Sequence, residues 1–328
     1  MKSHAFGFAL LSAIAIVASA PAQAQNGSLT RSFVSSAGVD TNACTITAPC
    51  ASFAQAYTKI GANGIIAALD PGKYGPITII GPVTINGNGW AAITATANGE
   101  GITIGAGSTD NVTLTGLEID GAGAAYNGIL FNSGGNLVVK NCVLKDFLRV
   151  DNSGNNGNGI YIAPTSGTIS FTIVDTIVSN SPYAGIIYLP PDGAAIATGV
   201  IDHVVATGST ANGGIGASMN HASGGSVAIS ISNSVISNNT GANGVFTVGS
   251  GGSIAMTLDN DEISYNAYGI LNSAGSSMVL GRSTITNNSA YSIYNYSTVD
   301  TFKNNQIYAN GNGNAVGGPN ALTTVLLQ

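Results

Sequence analysis

The segment Asp259-Asn260-Asp261-Glu262 sets three carboxylates within four residues of a chain that has only 15 Asp and Glu in all. Glycoside hydrolysis uses carboxylates in pairs, one to protonate the leaving oxygen and one to activate water or attack carbon. If the segment is extended, alternation sends Asp259 and Asp261 to one face and Glu262 to the other. That geometry leaves the cluster a hydrolase candidate without making it a finished pair. No Gly-x-Ser-x-Gly elbow occurs, and glycine-rich runs such as Gly249-Ser-Gly-Gly252 lack the Lys that a phosphate loop requires. Cys44 and Cys50 can close a small disulfide loop or stand as two thiols, and Cys142 is the odd one. With no matching Cys or His pair to complete four tetrahedral ligands, no zinc or other metal site and no cofactor are expected.

Composition narrows the partners. The chain has 328 residues, 45 of them Gly, with 7% charged residues and a formal net charge of −6. Its nine Lys and Arg are scattered, which gives no basic footprint for a nucleic-acid backbone. The start, Met1-Lys2-Ser3-His4 followed by an uncharged run from Phe6 to Ala20 and by Ala22 and Ala24, has the three parts of a secretory signal peptide, with cleavage after Ala24. The run is too short to span a bilayer, so the mature chain is expected to be extracytoplasmic, secreted or periplasmic, with no membrane span. An oxidising compartment of that kind favours a Cys44–Cys50 bridge.

A repeated phrase positions these residues. Asn233-Ser-Val-Ile236-Ser-Asn-Asn239 recurs as Asn260-Asp-Glu-Ile263-Ser-Tyr-Asn266, Arg282-Ser-Thr-Ile285-Thr-Asn-Asn288 and Asn304-Asn-Gln-Ile307-Tyr-Ala-Asn310, with looser copies upstream. A second phrase, Gly then an aliphatic, follows each: Gly128-Ile129, Gly159-Ile160, Gly185-Ile186, Gly214-Ile215, Gly244-Val245 and Gly269-Ile270, with Ser292-Ile293 as a variant. Boundaries at Val112, Leu137, Ile169, Ile196, Val227, Ile254, Met278 and Thr301 give coils of 23 to 32 residues. Period-two stretches such as Val227-Ala-Ile-Ser-Ile231, separated by Gly, Asn and Ser clusters, mark strands and turns. Strands that recur once per coil stack in parallel about 4.8 Å apart. The expected fold is therefore all-β, a right-handed parallel β-helix with one continuous core.

This register predicts an inward ladder of Ile236, Ile263, Ile285 and Ile307, and another of Ile129, Ile160, Ile186, Val245, Ile270 and Ile293. Asn239, Asn266, Asn288 and Asn310 share a turn where stacked amides can bond one another. Cys142, Thr176, Ser234, Ser283, His203 and Asp261 fall in a small inward column. Phe53 to Ile60, after the acceptable N-cap Ser52, reads as a short helix capping the N-terminal end. The expected layout is a signal peptide over 1–24, a strand and capping helix over 25–64, coils over 65–310 and a C-terminal tail over 311–328.

The chain resembles the pectin-lyase-like β-helix superfamily, and within it bacterial exported right-handed β-helix repeat proteins. The likeness runs from Arg31 to the C-terminus. It rests on Phe33-Val-Ser-Ser-Ala-Gly, Pro49-Cys50-Ala-Ser-Phe53, Pro71-Gly72-Lys73-Tyr74 and the Asn-Gly-Ile coils. The resemblance implies the fold but no one activity, because lyases, hydrolases, epimerases and non-catalytic surface proteins share it. Lyases of the superfamily use a carboxylate-bound calcium and an Arg or Lys base. Here the counterparts are Asp120 with Lys145, placed side by side by the register as a surface ion pair, and Arg149 in the following loop, within reach of Asp146 or Asp151. Calcium is expected only if the chain is such a lyase.

The residue after each Gly-aliphatic anchor points outward: Leu130, Tyr161, Ile187, Gly216, Phe246, Leu271 and Tyr294. Stacked, they make an apolar stripe roughly 29 Å long by the coil spacing. Either it is an open binding surface or the longer coils fold over it. The favoured expectation is an exported, non-catalytic protein that binds a polysaccharide or surface partner through that stripe. A polysaccharide lyase or glycoside hydrolase is the first alternative, and a structural surface protein without ligand the second.

Overall fold

The computed structural model describes residues 27–151, 155–191, 195–219, 224–312 and 316–326. The leader expected at 1–24 lies outside the described residues. The chain is a parallel β-helix, and among the described residues its strands gather in a twenty-stranded and a ten-stranded sheet. One coil shows the plan: a long strand Ser226–Ser232, a short strand Val235–Ser237 after a corner, and a strand of the second sheet, Asn243–Gly249. Each pairs in parallel with its counterpart in the next coil, as Ile229 with Met256, Ile236 with Ile263 and Val245 with Ile270.

Alternation produces the core. In Ser226–Ser232, Val227, Ile229 and Ile231 are buried while Ala228 and Ser230 are exposed. Burial of each such aliphatic contributes about 1.5–3 kcal/mol, and the ladders repeat it at every coil. Ile236, Ile263 and Ile285 are fully buried, with Ile307 packed at the edge of the same core, and Ile129 to Ile293 line the other side.

Two corners are built from side chains bonding the backbone of neighbouring coils. At the first, Asn239, Asn266, Asn288 and Asn310 form a continuous ladder. Each amide nitrogen donates to the next amide oxygen at 2.9–3.0 Å, and that oxygen also accepts the preceding Asn backbone N–H. At the second, Asn141, Asp175, His203, Asn233, Asn260 and Arg282 adopt positive φ. The residue after each turns inward, giving a buried column of Cys142, Thr176, Val204, Ser234, Asp261 and Ser283. The expectation for His203 is corrected here: the left-handed turn carries it outward, with 60% of its side chain exposed, and Val204 takes the buried place.

The helix forms over Phe53–Lys59, with the Ser52 hydroxyl accepting Gln55 N–H at 3.1 Å, and it packs on the first strands. Cys44 and Cys50 are disulfide-bonded, and Cys142 is a buried free thiol. No helix among the described residues is long and apolar enough to cross a membrane.

Candidate functional site

The corner separates the three carboxylates of Asp259-Asn260-Asp261-Glu262. Asp261 is 2% exposed, and its two oxygens accept the Ser234 N–H at 2.9 Å and the Asp259 N–H at 3.1 Å. Burial pushes its carboxyl up to about 7. Glu262 is exposed on the short-strand face and accepts the Ser264 hydroxyl. Asp259 lies on the long-strand face in a forked pair with Arg282, whose Nε is 2.8 Å from Oδ1 while Nη2 meets Oδ2. That guanidinium holds the Asp259 carboxyl below its ordinary value. The geometry corrects the hydrolase candidate: Asp261 is a sealed corner residue and cannot face a substrate together with Asp259 or Glu262.

The lyase candidates are held in separate pairings. Lys145 sits in register beside Asp120 at 3.8 Å, as expected, but its short contact is with Glu118 at 2.7 Å. Arg149 donates through Nε to the Asp151 carbonyl and lies over the Tyr183 ring, 5.4 Å from its centroid, while Asp146 takes the Asn180 amide. Among the described residues no three His, Cys, Asp or Glu side chains gather as a metal site.

The outward stripe is not one open surface. Tyr161, Ile187 and Phe246 are buried, forming a satellite core with Ala163, Ala184 and Leu189, and Leu130 and Leu271 pack at its margin. Two causes are visible. The Tyr161 hydroxyl is tied to Asn155 of the loop before its strand. The Phe246 ring lies down on Gly213 and Gly216, where any Cβ would strike it, so the single glycine of the stripe is the bed of its neighbour's ring. The C-terminal end of the stripe keeps partly open aromatics. There Tyr294 joins Tyr268, Tyr291 and Tyr296, with ring centroids 5.1–6.0 Å apart.

The better-formed concavity is on the outer face of the long strands. A hollow of about 340 Å³ is lined by Thr257, Asp259, Val279, Gly281, Arg282, Phe302 and Asn304. Gly281 creates it: the space its missing side chain leaves lies between the Phe302 ring, the Asp259 carboxylate and the Asn304 amide oxygen. A second hollow of about 270 Å³, lined by Thr198, Gly199, Ala228, Ser230, Ala255 and Thr257, shares Thr257 and prolongs the first into a trough across consecutive coils. Small outward residues at matching register, Thr198 to Ala228 to Ala255, keep the floor low.

A polar rim follows the trough. Asn260 donates to Asn233 and Asn233 to Asp202, both at 2.7–2.8 Å. Asp202 also accepts the Ser232 hydroxyl and lies 2.7 Å from His203 Nδ1. The Ser232 and Asn233 bonds, with a smaller part from His203, hold Asp202 down to about 2. Sequence reading missed Phe302 and the trough, because Phe302 occurs once, in the last coils, and the floor is made of unremarkable Ala, Ser and Thr. It also missed Glu100, whose Oε1 takes the Asn127 amide at 3.2 Å while its buried Oε2 has no partner among the described residues; burial pushes this carboxyl up to about 7.

Among solved structures, the chain is similar to pectate lyase Pel9A, with a TM-score of 0.51 and 15% identity over 88% of this chain and 71% of that one. At that identity the likeness shows the fold alone, a parallel β-helix. No family model matches the sequence. No curated protein matches it either.

Proposed function

We propose that the protein is exported and binds an extended polysaccharide in the trough on its long-strand face, without cleaving it. The observation that carries this reading is the trough, two hollows on one face that meet at Thr257 and between them reach from Thr198 to Asn304. A pyranose ring has apolar C–H faces and a girdle of hydroxyls. Phe302 and Val279 offer the first an apolar wall, and Asp259, Arg282, Asn304 and Thr257 offer the second donors and acceptors. The low floor of Thr198, Ala228 and Ala255 recurs from coil to coil and leaves room for an extended chain. Burial of Tyr161, Ile187 and Phe246 moves the proposed surface away from the stripe. The pairing of Lys145 and the sealing of Asp261 support binding over catalysis. The disulfide supports an oxidising compartment.

The test is retention of the purified mature chain in native gels containing neutral or acidic polysaccharides, with product analysis in the presence and absence of calcium. Retention without products, weakened at least about tenfold by Phe302→Ala and Asp259→Ala and unchanged by Tyr294→Ala, is expected. Product release abolished by Asp259→Ala would replace binding with catalysis, and loss of retention only in Tyr294→Ala would move the site to the tyrosines.

A further inference from the structure

The trough has a charged end that its lining residues do not include. Asp300 pairs in register with Val279, which itself pairs with Thr257, so all three project from the same face in consecutive coils. On its own strand, Thr298–Thr301, Asp300 alternates with the buried Val299 and Thr301 and therefore faces outward, two residues before Phe302. Phe302 follows directly on the end of that strand, its N–H still bonding the Leu280 carbonyl of the preceding coil, and extended backbone sets side chains two residues apart roughly 7 Å from each other. The carboxylate is half-buried and, among the described residues, has neither a hydrogen-bond nor an ion-pair partner. The other charges of the trough are already matched: Asp259 by Arg282, and Asp202 by the Ser232 hydroxyl, the Asn233 amide and His203. Lys303, exposed on a left-handed turn three residues on, is not paired with Asp300.

An unmatched carboxylate beside an aromatic wall and a ring-sized hollow selects by charge. It repels a uronate, and the net charge of −6 on the whole chain acts in the same sense. It attracts a ligand that brings an ammonium group, through a charge-assisted hydrogen bond. We propose, resting on the polysaccharide-binding reading above, that the occupant of the trough is an amine-bearing glycan, a polymer of hexosamines with free amino groups, and that Asp300 receives one of those amines while Phe302 packs against the ring that carries it.

The experiment compares three oligosaccharide sets of equal length by titration calorimetry at mildly acidic pH. These are β-linked glucosamine oligomers, their fully N-acetylated counterparts and oligogalacturonates. The native chain is compared with Asp300→Asn, and with Glu118→Gln, which removes one negative charge from the short-strand face. The expected result is that the free-amine oligomers bind about tenfold more tightly than the acetylated ones to the native chain and to Glu118→Gln. Asp300→Asn should remove that preference while keeping binding of the acetylated set. Equal binding of amine and acetylated oligomers, a preference that survives Asp300→Asn or falls equally in Glu118→Gln, or tighter binding of oligogalacturonates overturns the inference and leaves the polysaccharide reading standing. No binding of any set overturns both.

Discussion

Among the described residues, Asp261 and Glu100 are the two carboxyls that this fold holds against their chemistry. Both have their charged form disfavoured by burial, and both are raised to about 7 from ordinary values near 4. For a raised carboxyl, the folded state binds its proton more tightly than the unfolded state does. Stability is then greatest with the group protonated, falls as pH rises from about 4 through about 7, and is level above that. Each group sets a difference on the order of a few kcal/mol across the window. Asp70 and Asp202 act in the opposite direction. Their hydroxyl and amide donors lower them to about 2, so their contribution is complete above about pH 4 and is lost as pH falls toward 2. The expected outcome is a melting temperature that is level down to about pH 7, climbs as pH is lowered from there to about 5, and collapses below about 3. Asp261→Asn and Glu100→Gln should each flatten the upper slope. A profile that rises toward neutral pH, or one untouched by both substitutions, contradicts this assignment.

At the scale of the element, the coil corner decides what the strands can present. The asparagine ladder satisfies buried amides only while it is unbroken, since each oxygen serves one backbone N–H and one side-chain N–H of the preceding coil. Asn288→Ala leaves the Asn266 backbone N–H and one of its two amide hydrogens buried and unpaired, the other staying on the Ile236 carbonyl, and is expected to cost about 2–4 kcal/mol in urea unfolding. Asn310→Ala, at the end of the ladder, should cost less. Equal and small effects at both positions would show that water replaces the ladder. These asparagines and the isoleucine ladders were legible in the sequence because they recur once per coil and need only their own period to be recognised. His203 was misplaced by one residue because the corner bears a left-handed residue before the buried one, a backbone feature that His at that position does not advertise. The stripe was legible in direction but not in exposure. Whether Tyr161 and Phe246 meet solvent depends on Asn155 in the preceding loop and on Gly216 in the neighbouring coil, contacts that the alternation along the strand does not show. The trough was not legible at all, since it arises from small residues in separate coils meeting one late phenylalanine.

For the whole molecule, a likeness at 15% identity to pectate lyase Pel9A fixes the scaffold and leaves the chemistry to the side chains. Those side chains form a covered second-sheet face, an ion-paired short-strand face at Lys145 and an open long-strand face bearing the trough. The proposal that the trough is the binding surface is tested most directly by a crystal structure of the mature chain with a retained oligosaccharide. Sugar density is expected along Thr198, Ala228, Ala255 and Thr257, ending with a ring against Phe302 between Asp259 and Asn304. Density over Tyr268, Tyr291 and Tyr294, with the trough filled only by solvent, would contradict it.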